Sequence, residues 1–306
     1  MSLLQNLLTL GRISNLPTVW TNCTAAWAVN AFASPVFREM PTAQQNFEFH
    51  WGQLGWLLIG ASLLYMGGCT LNDAFDQEFD KLHNPKRPIP SGSISVAEVW
   101  ATGIIEIGGG ALILFKLAGV AWIWLTALTV VIVAYDVLHK RWSGSVWLMG
   151  SCRFFLWLTA ATAAKAELAP LTLAWSVVVA LYVVGISLFA RGESTGENHE
   201  NRTSIPLLFG APLFALLLLV YWNNLPPLAQ FATNAAGLVG AWLAYTAVKC
   251  MRTGKRGCIG QGVSRLLAGI AACDATAAGL VSPTLCYCCL GCVPLALLLQ
   301  KKFAAT

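Results

Sequence analysis

From Asn72 to Asp80 the chain reads Asn-Asp-Ala-Phe-Asp-Gln-Glu-Phe-Asp. On one continuous helix, Asn72, Asp76 and Asp80 fall at i, i+4 and i+8 on a single face. Asp73 stands one step round beside them, and Glu78 points away. Carboxylates at that spacing repel one another, so the series is favourable only where something positive sits between them. Oxygen ligands of this kind suit Mg²⁺, a hard cation that binds through one or two carboxylates plus phosphate oxygens. Asn72, Asp73, Asp76 and Asp80 are therefore candidate metal ligands. A second acidic pair, Glu193 and Glu197, also stands at i and i+4. Two such pairs brought together could hold metal ions on either side of a diphosphate.

Between the two clusters lies Tyr-Asp-Val-Leu-His-Lys-Arg-Trp, residues 135–142. Lys140 and Arg141 offer positive charge to phosphate oxygens, and the Arg fork is shaped for a bidentate grip. Arg153 falls inside an apolar stretch, where a charge by default partners an anion or lines a cavity. His139 is placed to pair with Asp136 as simple loop structure. No Ser-His-Asp triad or Walker-type glycine loop appears. The Gly108–Gly110 run sits in an apolar stretch and predicts close helix packing.

The elements that position these groups must live in lipid. Of 306 residues, 57% are hydrophobic and 11% charged, against roughly 25% charged in a soluble domain. Ten apolar windows follow one another: Ile13–Phe32, Trp51–Leu71, Val96–Leu117, Val120–Leu138, Val146–Ala164, Leu168–Ala190, Ile205–Trp222, Phe231–Val248, Leu266–Val281 and Leu285–Leu299. The last two are the shortest and the ninth contains Asp274, so nine to ten transmembrane helices are expected. The fold class is all-α, a polytopic helical bundle forming one domain over 1–306, because only internally bonded backbone survives lipid. Lys and Arg gather in the loops joining alternate windows, which puts Asp80, Lys140 and Glu197 on the cytoplasmic side and Pro35–His50 outside. The net charge of +5 is that basic face and calls for membrane lipid, not nucleic acid. No obligate protein partner is evident. The ten cysteines, four of them in Cys-Tyr-Cys-Cys-Leu-Gly-Cys from Cys286 to Cys292, are expected as small packing residues.

At these residues the chain resembles the UbiA superfamily of intramembrane prenyltransferases. The family's Asn-Asp-x-x-Asp-x-x-x-Asp falls on Asn72, Asp73, Asp76 and Asp80, and its Arg-Pro-x-x-x-Gly on Arg87, Pro88 and Gly92. The family's Tyr and Lys after the fourth span correspond to Tyr135 and Lys140. The second family motif, usually Asp-x-x-x-Asp, looks here like Glu193 and Glu197, one methylene longer. The Cys-rich tail is similar to that of UbiA-like proteins of the EboC type. The resemblance implies a UbiA-like bundle, usually of nine spans, in a bacterial plasma membrane. It also implies a polyprenyl diphosphate held through Mg²⁺ and an open cavity for the acceptor.

The expected function is Mg²⁺-dependent prenyl transfer from a polyprenyl diphosphate to an aromatic or other lipophilic acceptor. Asp76, Asp80 and Lys140 are the expected catalytic residues, and Arg87, Tyr135, Lys140, Arg141 and Arg153 the diphosphate-binding set. Phe75, Tyr135, Phe154 and Trp157 are expected to line a dry cavity. The alternative from another class is a non-catalytic carrier that binds or transports an isoprenoid or aromatic compound in the same cavity. Carriers usually place their polar sites at the midplane, whereas these motifs cluster at one membrane face.

Overall fold

The computed structural model describes residues 3–32, 50–195, 204–221, 225–253 and 257–303. Among the described residues every element is helical. They are α1 (Leu3–Leu10), α2 (Leu16–Phe32), α3 (Trp51–Phe75), α4 (Gln77–His83), α5 (Val96–Lys116), α6 (Trp122–Leu138) and α7 (Ser145–Ala164). Then come α8 (Pro170–Thr195), α9 (Ser204–Leu208), α10 (Gly210–Tyr221), α11 (Pro227–Arg252), α12 (Cys258–Gly279) and α13 (Pro283–Lys302). Each apolar window of the sequence becomes a helix, except that Ile205–Trp222 splits into α9 and α10. Pro206, Gly210 and Pro212 account for the break, since proline removes helical donors and glycine weakens the turn between them. The ninth and tenth windows are not short: their helices run for 22 and 20 residues. Six helices (α3, α5, α7, α8, α11 and α13) are long and apolar enough to cross a membrane, and α6 and most of α10 are shorter apolar helices.

Helix α12 sits at the centre, packed against α2, α8, α11 and α13. Every residue from Ala268 to Gly279 is buried, and most of these are Ala or Gly, so neighbouring backbones can approach. Glycine serves α3 and α5 in the same way. A Cβ at Gly60 would lie 3.1 Å from the Gly110 carbonyl oxygen, and one at Gly67 would lie 2.9 Å from that of Gly103. Gly108 and Gly109 face open space, so Gly110 is the member of the predicted run that packs. A Ser95–Glu98 capping box starts α5 and fixes where the loop before it ends.

The C-terminal ends of α3 and α6 position the acidic cluster. The expected unbroken helix from Asn72 to Asp80 is not formed. Helix α3 stops at Phe75, Asp76 takes φ −82° and ψ 1°, and α4 restarts at Gln77. The chain then turns back through the Pro85–Pro90 loop, with Gly92 at φ +71°, a conformation that glycine adopts without steric cost. Helix α1 turns into α2 through Arg12, whose φ of 45° is uncommon for a residue with a side chain. That turn carries the Arg12 guanidinium to the end of α3.

Candidate active site

The bend at Asp76 divides the acidic series in two. Asn72, Asp73, Asp76 and Asp80 are all buried, and Glu78 is exposed as expected. Asp73 and Asp80 turn toward arginines. Arg87 Nη1 donates to Asp80 Oδ2 at 2.7 Å and to Asp73 Oδ1 at 3.4 Å, and Arg12 Nη2 reaches Asp73 Oδ1 at 3.3 Å. Asn84 completes the clamp by donating to Asp80 Oδ1 at 2.8 Å. Arg87, expected on a diphosphate, pairs here with two carboxylates and so ties the proline-rich loop to them.

Asp76 faces α6 and the turn that follows it. His139 Nε2 lies 3.1 Å from its Oδ2 and Lys140 Nζ 3.4 Å from the same atom. Burial alone would raise the Asp76 carboxyl. The His139 hydrogen bond and the charges of His139 and Lys140 outweigh it and hold the group below the usual carboxylate range. His139 therefore pairs with Asp76, not with the Asp136 carboxylate, and its ring stacks on Tyr135 with centroids 5.1 Å apart. Lys140 Nζ also rests 3.9 Å from the centroid of Phe79, a cation–π contact that aims the ammonium inward. Asn72 bridges the two halves of the cluster, accepting from Arg12 at 3.2 Å and donating to Asp136 Oδ1 at 3.1 Å.

A cavity of about 500 Å³ opens beside these groups. Its polar end is lined by Arg12, Asn72, Tyr135, Asp136, His139 and Lys140, and its far walls by Ala61, Leu64, Leu128, Leu156 and Ile270. Eleven residues of α3 separate Asn72 from Ala61, so at 1.5 Å per residue the cavity runs about 16 Å into the bundle. Arg153 lies on the wall in between. It donates to the Thr18 carbonyl at 3.3 Å, to Thr18 Oγ1 at 3.1 Å and to Asn22 Oδ1 at 2.8 Å. Asn22 in turn donates to both oxygens of Asp274, which also accepts from Thr21 at 2.6 Å and from Trp157 at 3.3 Å. The intramembrane charges Arg153 and Asp274 thus compensate one another through an amide.

The remaining expectations separate clearly. Arg141 is exposed and does not line the cavity. Of the four expected aromatic lining residues only Tyr135 does so. Phe75 packs edge-on against Trp100, Phe154 against Phe155, and Trp157 is spent on Asp274. Glu193 stands in the last turn of α8, and Glu197 lies outside the described residues. Among the described residues no cysteine is in a disulfide, and Cys286 and Cys289 are buried packing residues. Sequence reasoning missed the Thr21–Asn22–Asp274 network and gave Asp136 no ligand role. The signal for both was present, since each Asp lies within an apolar window and needs a partner there.

The donor set suits Mg²⁺. Asn72 and Asp136 line the polar end with hard oxygens, Asp76 is tied to the lining residues His139 and Lys140, and buried Asp136 Oδ2 has no hydrogen-bond partner. Among the described residues no group of three or more His, Cys, Asp or Glu converges as a metal cage. Mg²⁺ does not need one when phosphate oxygens complete its shell.

The profile of the UbiA prenyltransferase family matches residues 42–257. Digeranylgeranylglyceryl phosphate synthase of Methanospirillum hungatei JF-1 is 25% identical over 208 residues, covering 63% of this chain and 71% of that protein. The protein of the same name from Saccharolobus solfataricus is 34% identical over 92 residues, 29% of this chain and 32% of that one. The stretch shared with this second relative thus spans about a third of its length. The apo structure of a UbiA homolog from Aeropyrum pernix K1 aligns with a TM-score of 0.60 at 16% identity, over 87% of this chain and 96% of that chain, a likeness of fold. With more than half of its length under the family profile and multiple apolar helices in a UbiA-like bundle, the chain is a multi-pass membrane protein that belongs to the UbiA prenyltransferase family.

Proposed function

We propose that this protein transfers a prenyl group from a polyprenyl diphosphate to an aromatic or other lipophilic acceptor within the membrane. One observation carries the reading: a single cavity joins a charged inner end to an apolar bore about 16 Å deep. An amphiphile with an anionic head and a hydrocarbon tail fits that gradient. Asn72 and Asp76 would hold Mg²⁺, which supplies positive charge to the leaving diphosphate. Lys140 sits against Asp76 at the cavity mouth and adds its ammonium to the same oxygens as they gain charge. Tyr135 and His139 form a stacked wall beside that head group, and the apolar bore keeps water from the allylic carbon.

The i, i+4 spacing of Glu193 and Glu197 assigns them to the same anionic ligand as a second acidic pair. The Lys and Arg bias assigns Asp80, Lys140 and Glu197 to the cytoplasmic side. The test is turnover of radiolabelled geranyl, farnesyl and geranylgeranyl diphosphates by purified protein against phenols, quinone precursors and lipid alcohols. Cation-dependent release of diphosphate with label in the acceptor is expected. Tight binding of every diphosphate with no turnover on any acceptor would favour a carrier.

A further inference from the structure

Asp136 stands in the last turn of α6, 5% exposed, on the wall of the cavity. Asn72 Nδ2 holds its Oδ1 at 3.1 Å, while its Oδ2 is buried with no hydrogen-bond partner. A buried carboxylate oxygen left unpaired is costly, and it persists in a folded protein where something else completes it. The cavity's own bases do not. Arg12 is engaged by Asn72 and Asp73, His139 by Asp76 and the carbonyls of Tyr135 and Asp136, and Lys140 by Asp76. Arg153 is held by α2.

We propose that Asp136 is an oxygen ligand of the divalent cation at the diphosphate site, supplied by α6 and oriented by the amide of Asn72. This rests on the prenyl diphosphate reading above. Two carboxylates, Asp136 on the cavity wall and Asp76 against the lining residues His139 and Lys140, then lie near the place where an anionic head group enters, and like charges repel across such a site. A hydroxyl donor from the acceptor could satisfy Asp136 Oδ2, but it would leave that repulsion in place. A divalent cation satisfies the oxygen and removes the repulsion together. The residue belongs to neither acidic motif, which explains why spacing along the chain does not reveal it.

The experiment measures Mn²⁺ affinity by electron paramagnetic resonance on the full chain in detergent, with a non-reactive farnesyl thiodiphosphate in the cavity. Wild type is compared with Asp76→Asn, Asp136→Asn and Asp136→Cys. The isosteric Asp136→Asn keeps the shape of the site, and its melting midpoint without cation checks the fold. Mn²⁺ affinity is expected to fall tenfold or more in Asp136→Asn. In Asp136→Cys, preference should move from Mn²⁺ toward thiophilic Cd²⁺, relative to wild type, which already has Cys69 and Cys152 on the same wall. Unchanged Mn²⁺ affinity in a folded Asp136→Asn, while Asp76→Asn loses it, overturns the assignment. So does an effect confined to acceptor KM, which would make Asp136 an acceptor contact. If wild type and Asp76→Asn alike bind the analogue without cation, the diphosphate–metal reading itself fails, and this assignment with it.

Discussion

Two polar regions of this bundle use the same side chains to opposite ends. At the C-terminal ends of α3 and α6, Asn72 stands among Arg12, Asp73, Asp76 and Asp136, and a carboxylate oxygen is left over. In the bundle interior, Asn22 stands among Arg153, Thr18 and Asp274, and both Asp274 oxygens are occupied by donors from Thr21, Asn22 and Trp157. The first set borders water and a cavity, whereas Asp274 is wholly buried on the central helix. A closed network of this kind organises packing, because every buried group is satisfied within the protein. An open one is incomplete until a ligand arrives. The open cluster is the one a ligand can complete, and the closed network holds Arg153 on the cavity wall.

The sharpest way to break that contrast is to open the closed network. Asp274→Ala leaves half-buried Arg153 without its compensating charge and orphans three donors. Loss of one partner of a buried pair costs about 3–5 kcal/mol. Chemical denaturation in mixed micelles should show a loss of that order. The double variant Asp274→Leu with Arg153→Met should recover most of it, since well-packed apolar replacements of a buried pair are often neutral. If Asp274→Ala is as stable as wild type yet cannot turn over substrate, the interior network is functional and the contrast is wrong.

The complementary test opens nothing, because the cluster around Asn72 and Asp136 is open already. Asp76→Asn keeps the shape of the side chain and removes its charge. Hydrogen bonds to charged groups are worth ~1.5–3 kcal/mol, so cation-dependent binding of a prenyl diphosphate should weaken about 10- to 150-fold. Lys140→Ala should fall at the lower end, since its ammonium is partly exposed and screened. Isothermal titration with and without Mg²⁺ measures both. Equal losses with and without the cation would detach Asp76 from metal binding.

Much of this was legible in the sequence. Every apolar window contains helix among the described residues, the seventh broken in two, because an apolar run is visible from composition alone. The first acidic series was found, but its face was misjudged. Helical spacing assumes a straight helix, and the Asp76 backbone turns, sending Asp80 to Arg87 and Asp76 to His139. Partners that lie far off in the chain were invisible to spacing: Arg12 reaches Asp73 across 61 positions, and Thr21 reaches Asp274 across 253. The expected lining aromatics failed for a related reason. Phe75, Phe154 and Trp157 sit near the motifs in sequence, but helical rotation turns each of them to other neighbours.

The smallest expected effect concerns Arg87, where a strut and a phosphate ligand make different predictions. Its Nη1 is shared between Asp80 at 2.7 Å and Asp73 at 3.4 Å, and its side chain remains 28% exposed. If Arg87 acts mainly by clamping the Pro85–Pro90 loop onto α4, removing either end of the clamp should do the same damage. Arg87→Ala and Asp80→Asn should each lower stability by about 1 kcal/mol, a modest figure because solvent screens the exposed guanidinium. The double variant should then lose little more than either single one, since contacting residues do not behave additively. A phosphate ligand would behave otherwise. Its loss would reduce diphosphate affinity whether or not Asp80 were present, and the two effects on binding would add. The four-variant cycle, read by denaturation for stability and by titration for diphosphate affinity, separates the two. Additive losses in binding, with no coupling in stability, would move Arg87 from the clamp to the open side of the comparison, beside Lys140.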